Sequence, residues 1–229
     1  MRRRAGAACH TEIVTDTTEY PPEPWYLGGS LNVSVFLVPA GRLPAGFELP
    51  AGRRALRLGS RVVVGVASVR YLPGGVLDYD ELLVAVPSLG RGGLRVTIPQ
   101  IWVDSPTSMR GGRELWGIPK HLATFRQSHR GPVTSMTMSV DGAQVAALRA
   151  RRGLPLLPGV RQLALPILQH LHGRVTLSHN RVVGRLSGLR AAWHFAENGP
   201  LGYLSGRRPV LNIAVHDAAI IFGMDVTRS

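Results

Sequence analysis

Cysteine and long apolar segments are almost absent from this chain of 229 residues. The single cysteine, Cys9, cannot form a disulfide within the chain, and this usage is typical of a reducing compartment. No apolar run approaches the roughly 20 residues that a membrane-spanning helix needs, and no apolar export segment follows the basic residues 2–4. We therefore expect a cytoplasmic protein without a membrane partner.

Lysine is nearly missing as well, since 26 of the 27 basic residues are arginine and Lys120 is the only lysine. A guanidinium stays protonated at any pH that a protein survives, so arginine cannot replace a lysine whose amine must attack a carbonyl. The exception points to Lys120 as an amine nucleophile. The alternative is a surface lysine retained by chance, and composition alone leaves both interpretations open.

Acidic residues are also few, 14 against 27 basic ones, which gives a formal net charge of +13. A charge of this size can attract a polyanion. Beyond residues 2–4, however, the arginines stand singly or in pairs, with few aromatic residues between them to stack on bases. We expect no nucleic-acid partner. An anionic substrate or an acidic partner would be drawn to residues 121–229, where 13 arginines face 4 acids.

Motifs for a metal or a nucleotide are missing from the sequence. His170 and His172 would share a face only on a strand, and no spaced Cys or Glu completes a tetrahedral set. The glycine-rich stretch 90–93 lacks the Lys-Ser/Thr ending of a phosphate-binding loop. We therefore expect neither a metal nor an organic cofactor.

Helical periodicity is scarce, and short apolar or alternating segments separated by turn residues dominate. They predict strands at 31–38, 61–70, 82–86, 94–103, 133–140, 144–148, 174–193 and 209–224. The best helical candidates are 119–125 and 160–171, the second interrupted by Pro166. The pattern predicts an α+β, β-dominated fold with few short helices, whose antiparallel strands close into a barrel around one small ligand. Residues 1–20 are predicted to be a flexible tail and 21–229 a single domain.

The densest functional signal surrounds the lysine, where Gly112-Arg113-Glu114 is followed after four residues by Pro119-Lys120. This spacing resembles the Schiff-base lysine motif of the acetoacetate decarboxylase family. The resemblance implies that the amine of Lys120 adds to a ketone and loses water. The resulting iminium then accepts electrons from a breaking C–C or C–H bond.

The resemblance extends to other segments, roughly over residues 25–125. Tyr79-Asp80-Glu81 resembles the strand that supplies the family's site carboxylate, which implies that Glu81 is a general acid/base. Trp25 and residues 43–50 resemble the family's N-terminal layout. The family also implies a cone-like β-barrel, a homo-oligomer and a small-molecule carbonyl substrate.

Several neighbours of Lys120 are candidate supporting residues. Desolvation lowers the pKa of a lysine, an effect for which acetoacetate decarboxylase is an established example, so we expect apolar neighbours to keep Lys120 partly unprotonated. Trp116, Ile118 and Leu122 are the candidates for that role. Arg113 and Glu114 are predicted to form an ion pair that shapes the lysine loop.

Departures from the family bear on the reaction. His121 stands where other members have a second lysine, no arginine occurs at residues 28–31, and no acid occurs near Gly65. We therefore predict a Schiff-base lyase acting on a ketone or β-keto acid other than acetoacetate, in specialised biosynthesis. The alternatives are a noncovalent cyclase or dehydratase that uses the same pocket, and a catalytically inactive small-molecule-binding protein.

Overall fold

The fold is described from a computed structural model, and the description covers residues 20–229. Cys9, the arginines at 2–4 and nearly all of the predicted tail lie outside the described residues. Strands account for most of the described chain. The single α-helix and two short 3-10 segments, Ala40–Arg42 and Gly202–Leu204, make up the rest of its regular structure.

The twelve strands and the helix are numbered here in chain order. The helix α1 spans Pro106–Trp116. The strands are β1 Trp25–Pro39, β2 Arg54–Ala55, β3 Arg57–Leu58, β4 Arg61–Leu72, β5 Tyr79–Gly90, β6 Gly93–Val103, β7 Lys120–Leu122, β8 Thr124–Arg130, β9 Val133–Val140, β10 Ala143–Leu171, β11 Arg174–Phe195 and β12 Leu211–Arg228.

Seven of these strands form a closed ring in the order β6, β5, β4, β1, β12, β11, β10. The ring closes where Ile167 of β10 pairs in parallel with Val96 of β6. Gln169 reinforces the closure, because its side-chain amide donates to the carbonyl of Ile98 at 2.8 Å and accepts from the Ile98 N–H at 3.2 Å. The prediction of a β-dominated fold is confirmed, although the sheet is mixed and not purely antiparallel, since β6 pairs in parallel with both β7 and β10.

Alternating side chains give the ring strands two buried faces. On β4, Val62, Val64 and Val66 pack into one apolar cluster, which also contains buried residues of β9 and β10. Ala67 and Val69 belong to a second cluster, which includes Trp25 and surrounds the interior of the ring. A strand buried on both faces reads as a nearly continuous apolar segment, as residues 61–70 do.

The two predicted helices are wrong. Residues 119–125 contain β7 and the start of β8, because the backbone of Lys120 pairs with Ile101 instead of forming a helical turn. Residues 160–171 belong to β10 and pair with β11. Among the strands of residues 20–229, only β11 pairs with β10 between residues 155 and 166, and an edge of this kind tolerates Pro166.

The observed helix begins and ends at recognisable signals. Ser105 caps its N-terminus by accepting from the backbone N–H of Ser108 at 3.1 Å, and Pro106 occupies the first turn. Gly117 ends the helix in the left-handed conformation. Among residues 20–229, no helix has the length and hydropathy to cross a membrane.

Candidate active site

Lys120 lies at the start of the short strand β7, beside β6, and the residue as a whole is 4% exposed. Its ammonium nitrogen donates to three oxygens: Ser108 Oγ at 2.9 Å, Glu81 Oε2 at 3.0 Å and Tyr79 OH at 3.3 Å. Arg113 fixes the backbone of the same residue by donating from Nε to the Lys120 carbonyl at 2.7 Å. The only lysine of the chain is therefore a buried group held on several sides.

The partners of Lys120 on the sheet follow from strand geometry. Tyr79 and Glu81 are two residues apart on β5 and share one face. Tyr71 pairs with Tyr79 across β4 and β5, and the two rings lie 4.4 Å apart. The Tyr71 hydroxyl donates to Glu81 Oε1 at 3.2 Å, so both carboxylate oxygens are occupied.

Helix α1 contributes Ser108 and Gly112, which are four residues apart and lie on the same helical face. A Cβ atom at Gly112 would lie 2.7 Å from Cδ and 2.8 Å from Cε of Lys120. At Gly111 it would lie 2.5 Å from the Trp25 ring. The helix therefore needs its two glycines to let the lysine side chain and Trp25 pass against its backbone.

The electrostatics of Lys120 differ from the expectation. Burial by itself lowers the pKa of Lys120, but the Glu81 carboxylate and the Tyr79 hydroxyl, both hydrogen-bonded to the amine, raise the pKa above its ordinary value. The prediction of a pKa lowered by desolvation is wrong for the free protein, because Glu81 compensates for the burial. Burial, with the charge of Glu81, also raises the pKa of Tyr79 to about 12.

The Lys120–Glu81 pair lies on the wall of a cavity of about 340 Å³ inside the ring. The wall is formed almost entirely by apolar side chains from the ring strands and α1. Its polar members are Lys120, Glu81, Tyr71, Tyr79 and Asn180. This volume is at the lower end of the range for small-molecule sites.

Arg113 and Glu114 do not form the predicted ion pair in the structure. Arg113 donates to the Lys120 carbonyl, as described above. Glu114 instead accepts from the hydroxyl of Tyr20 at 2.7 Å. Arg113 thus reaches the lysine segment directly, whereas Glu114 faces the N-terminal segment.

The remaining sequence candidates divide between the cavity and the surface. Trp116 is buried on the cavity wall, packs edge-on against Trp25 at 4.8 Å and donates to Glu23 Oε2 at 2.8 Å. Ile118 also lines the cavity. His121 and Leu122 are exposed, and Lys120 is the one buried residue of β7. The structure therefore does not bring His121 into the cluster around the amine.

Three members of the cluster were not singled out from the sequence: Tyr71, Ser108 and Gly112 as a packing position. Alternation along β5 could have linked Tyr79 to Glu81, but the partnership with Tyr71 requires the register of β4 and β5. Ser108 could be found only once α1 was recognised. Among residues 20–229, no group of three or more His, Cys, Asp or Glu side chains is arranged to hold a metal ion.

Comparison with known sequences gives a consistent family assignment. Residues 42–178 match the family model described as acetoacetate decarboxylase, which extends the resemblance beyond residue 125. The chain is also 34% identical over 64 residues to acetoacetate decarboxylase 3 of Mesorhizobium japonicum. That match covers 28% of this chain and only 25% of the relative's length.

Solved structures with the same fold include an acetoacetate decarboxylase from Legionella pneumophila, with a TM-score of 0.71 at 15% identity over 92% of this chain and 88% of that one. The enduracididine biosynthesis enzyme MppR complexed with pyruvate has a TM-score of 0.66 at 15% identity, covering 98% of both chains. An acetoacetate decarboxylase-like enzyme from Sphingomonas wittichii has a TM-score of 0.66 at 16% identity, over 98% of this chain and all of that one. At these identities the likeness establishes the fold.

Proposed function

The chain belongs to the acetoacetate decarboxylase family, and from that premise we propose that it is an enzyme whose Lys120 amine forms an iminium with a ketone or β-keto acid. The observation that carries the proposal is the buried Lys120–Glu81 pair, 3.0 Å apart on the wall of an otherwise apolar cavity. A buried amine beside a proton acceptor is the arrangement that covalent carbonyl chemistry requires.

Glu81 supplies the base that the first step needs. Transfer of one ammonium proton from Lys120 to the Glu81 carboxylate converts the ion pair into a neutral amine and a neutral acid. Neither species then carries a charge into the apolar cavity, so displacement of water by a substrate favours the transfer. The amine becomes a nucleophile without releasing a proton to solvent.

The next steps use the same two groups. The amine attacks the carbonyl carbon, and the resulting carbinolamine loses its hydroxyl as water after protonation by Glu81. The carboxylate is regenerated opposite the iminium that forms on Lys120. The hydroxyls of Tyr71, Tyr79 and Ser108 position the Lys120 amine and the Glu81 carboxylate through the hydrogen bonds already described.

The iminium supports several reactions, namely decarboxylation, retro-aldol cleavage and aldol addition followed by dehydration. One solved structure of MppR, 16% identical to this chain, contains the condensation product of pyruvate and imidazole 4-carboxaldehyde. This precedent on a shared fold supports a lyase or condensing role in specialised biosynthesis. The missing arginine at residues 28–31 supports a substrate other than acetoacetate.

We extend the proposal to a cytoplasmic homo-oligomer. The single cysteine supports a reducing compartment. Association between copies is supported by three exposed leucines of β10: Leu154, Leu156 and Leu157. Light scattering coupled to gel filtration tests the second point, and a monomer at working concentration would contradict it.

Exchange of ketone α-protons with deuterated water tests the proposed chemistry and separates it from the two alternatives. An iminium acidifies the adjacent C–H bonds, so the wild-type protein should exchange the α-protons of bound ketones, followed by NMR. Lys120→Arg should lose this exchange. Exchange retained by Lys120→Arg would indicate a noncovalent enzyme, and ketone binding without exchange by the wild type would indicate a binding protein.

A further inference from the structure

The polar groups of the cavity are concentrated at the Lys120–Glu81 cluster, and the rest of its wall is apolar. Resting on the proposed function, we propose that the carbonyl compound that reacts with Lys120 is a neutral, apolar ketone or aldehyde with a hydrocarbon chain. A keto acid whose carboxylate would remain in the cavity does not fit. This inference concerns the substrate class and is separable from the covalent step itself.

Charge balance is the first argument. Lys120 is the one cation that lines the cavity among the described residues, and Glu81 already neutralises it at 3.0 Å. A substrate carboxylate would add an uncompensated negative charge in a buried site. Transfer of an unpaired charge from water to such surroundings is costly, whereas an apolar chain gains free energy from the same transfer.

Asn180 does not supply a polar anchor. Its Oδ1 accepts from the backbone N–H of Gly223 at 2.7 Å, and its Nδ2 donates to the carbonyl of Leu165 at 2.9 Å. A further donation from Nδ2 goes to Ser178. The side-chain amide therefore ties β11 to its neighbours, and its hydrogen-bonding groups are committed to the protein.

The shape of the wall provides the second argument. Gly65 and Ala85 are cross-strand partners on β4 and β5, and both line the cavity. A Cβ atom at Gly65 would meet Ala85 only at ordinary contact distances of 3.6 and 3.7 Å, so no packing constraint explains the glycine. The small residues leave room for substrate atoms on the same face of β5 as Glu81, four residues further along the strand.

The accessible part of the wall is apolar too. Leu163 and Leu165 of β10 line the cavity and are 38% and 36% exposed. A ligand entering past them meets hydrocarbon from the solvent side to the reactive amine. An apolar chain can therefore stay in contact with the wall along this route.

Borohydride trapping with a matched pair of compounds tests the inference. Methyl hexyl ketone and its analogue with a carboxylate in place of the terminal methyl present the same carbonyl, and acetone reports imine formation alone. We expect the neutral long ketone to be trapped about tenfold or more faster than its keto-acid analogue. Equal rates, or faster trapping of the keto acid, would overturn the inference.

The remaining outcomes also discriminate. Trapping of acetone without trapping of methyl hexyl ketone would overturn the inference, because the cavity would not accept the chain. If none of the three compounds is trapped by folded protein, the proposed covalent function itself fails.

Leu165→Arg provides a second test, because it places a guanidinium beside the cavity at a partly exposed position. The rate ratio of keto acid to neutral ketone should rise about tenfold. The matched control is Leu154→Arg, on the same strand at a position 84% exposed and outside the cavity lining. If the two variants change the ratio equally, the effect comes from overall charge and the inference is wrong.

Discussion

Lys120 and Glu81 each remain less than about one-tenth exposed, at 5% and 4% for their side chains, and this burial determines how the residues act. A buried pair of opposite charges is costly to build and more costly to break, since removal of one partner leaves the other uncompensated. The free protein therefore stores the amine in its protonated form. Desolvation alone would lower the pKa of Lys120. In the ion pair, Glu81 instead accepts the proton that Lys120 must lose before it can react.

Glu81→Gln should separate the effect of burial on the pKa of Lys120 from the effect of the Glu81 charge. Without the carboxylate, burial dominates, so the pKa of Lys120 should fall below its wild-type value. We expect the pH profile of ketone trapping to move to lower pH, and α-proton exchange to slow by roughly a hundredfold because the proton carrier is lost.

Tyr71→Phe is the matched control for Glu81→Gln, because it removes one hydrogen bond to Glu81 and keeps the carboxylate. It should leave the pH profile close to that of the wild type. An unshifted profile in Glu81→Gln would show that Glu81 does not control the protonation of the amine.

Asp80 gives a prediction about stability and pH. Burial, followed by the charge of Asp104, raises the pKa of Asp80 from 3.8 to about 6, against the opposing effect of Arg70. The folded state thus binds this proton more tightly than the unfolded state, so stability falls as pH rises from 3.8 to about 6.

Asp80→Asn should remove the loss of stability that ionisation of Asp80 causes as the pH rises. Its free energy of unfolding in urea should exceed that of the wild type by about 1 to 2 kcal/mol near neutral pH, after allowance for solvent screening, and should match it in strong acid. A constant difference across the pH range would contradict the assignment to Asp80.

Among the secondary-structure elements, α1 and β7 act together, because the helix backbone at Gly112 touches the aliphatic part of Lys120. Alanine normally stabilises a helix relative to glycine by about 1 kcal/mol. Here Gly112→Ala should displace the lysine and slow trapping by about a hundredfold, since a misplacement near 1 Å has that effect on reacting groups.

Thr107→Ala is the control for Gly112→Ala, since Thr107 is a half-buried residue of the same helix that does not line the cavity. Its trapping rate should stay within about twofold of the wild type. Normal trapping by a folded Gly112→Ala variant would mean that the close approach of the helix is not needed.

The elements also show what a single sequence can predict. The sequence predicts strands where the apolar pattern is strong, as in the nearly continuous segment 61–70 and in the segment 94–103, because that pattern depends on local geometry. Helix α1 was missed because Gly111 and Gly112 are typical of turns, whereas tertiary contacts with Trp25 and Lys120 require them in a helix. The sequence predicts helices at residues 119–125 and 160–171 because strand partners distant in sequence cannot be seen in a local pattern.

For the candidate site, the motif around Lys120 and the strand with Glu81 were accessible from the sequence. Their hydrogen bond joins residues 39 positions apart and depends on the sheet order, so only the structure provides the distance. Tyr71 and Ser108 are ordinary residues in their local sequence. They belong to the cluster only because β4 and α1 pack beside β5 and β7.

The whole molecule depends on closure of the strand ring, which the Gln169 side chain completes by pairing with both backbone groups of Ile98. Gln169→Leu would leave a buried N–H and a buried carbonyl unpaired. The free energy of unfolding should fall by about 2 to 3 kcal/mol in urea denaturation, and access of solvent to the cavity should increase.

Gln162→Leu is the matched control for Gln169→Leu, since Gln162 is an exposed residue of the same strand. It should change the free energy of unfolding by less than about 0.5 kcal/mol. Equal effects of the two substitutions would contradict a role for Gln169 in closing the ring.

The most direct measurement for the molecule as a whole is borohydride reduction in the presence of a methyl ketone, followed by peptide mass mapping. Since Lys120 is the only lysine, a lysine adduct can form at one position alone, and Lys120→Arg controls for reaction at the terminal amine. We predict one reduced adduct per chain, located on Lys120 and absent from Lys120→Arg. A folded wild-type protein that binds methyl ketones yet carries no adduct on Lys120 would contradict the iminium mechanism.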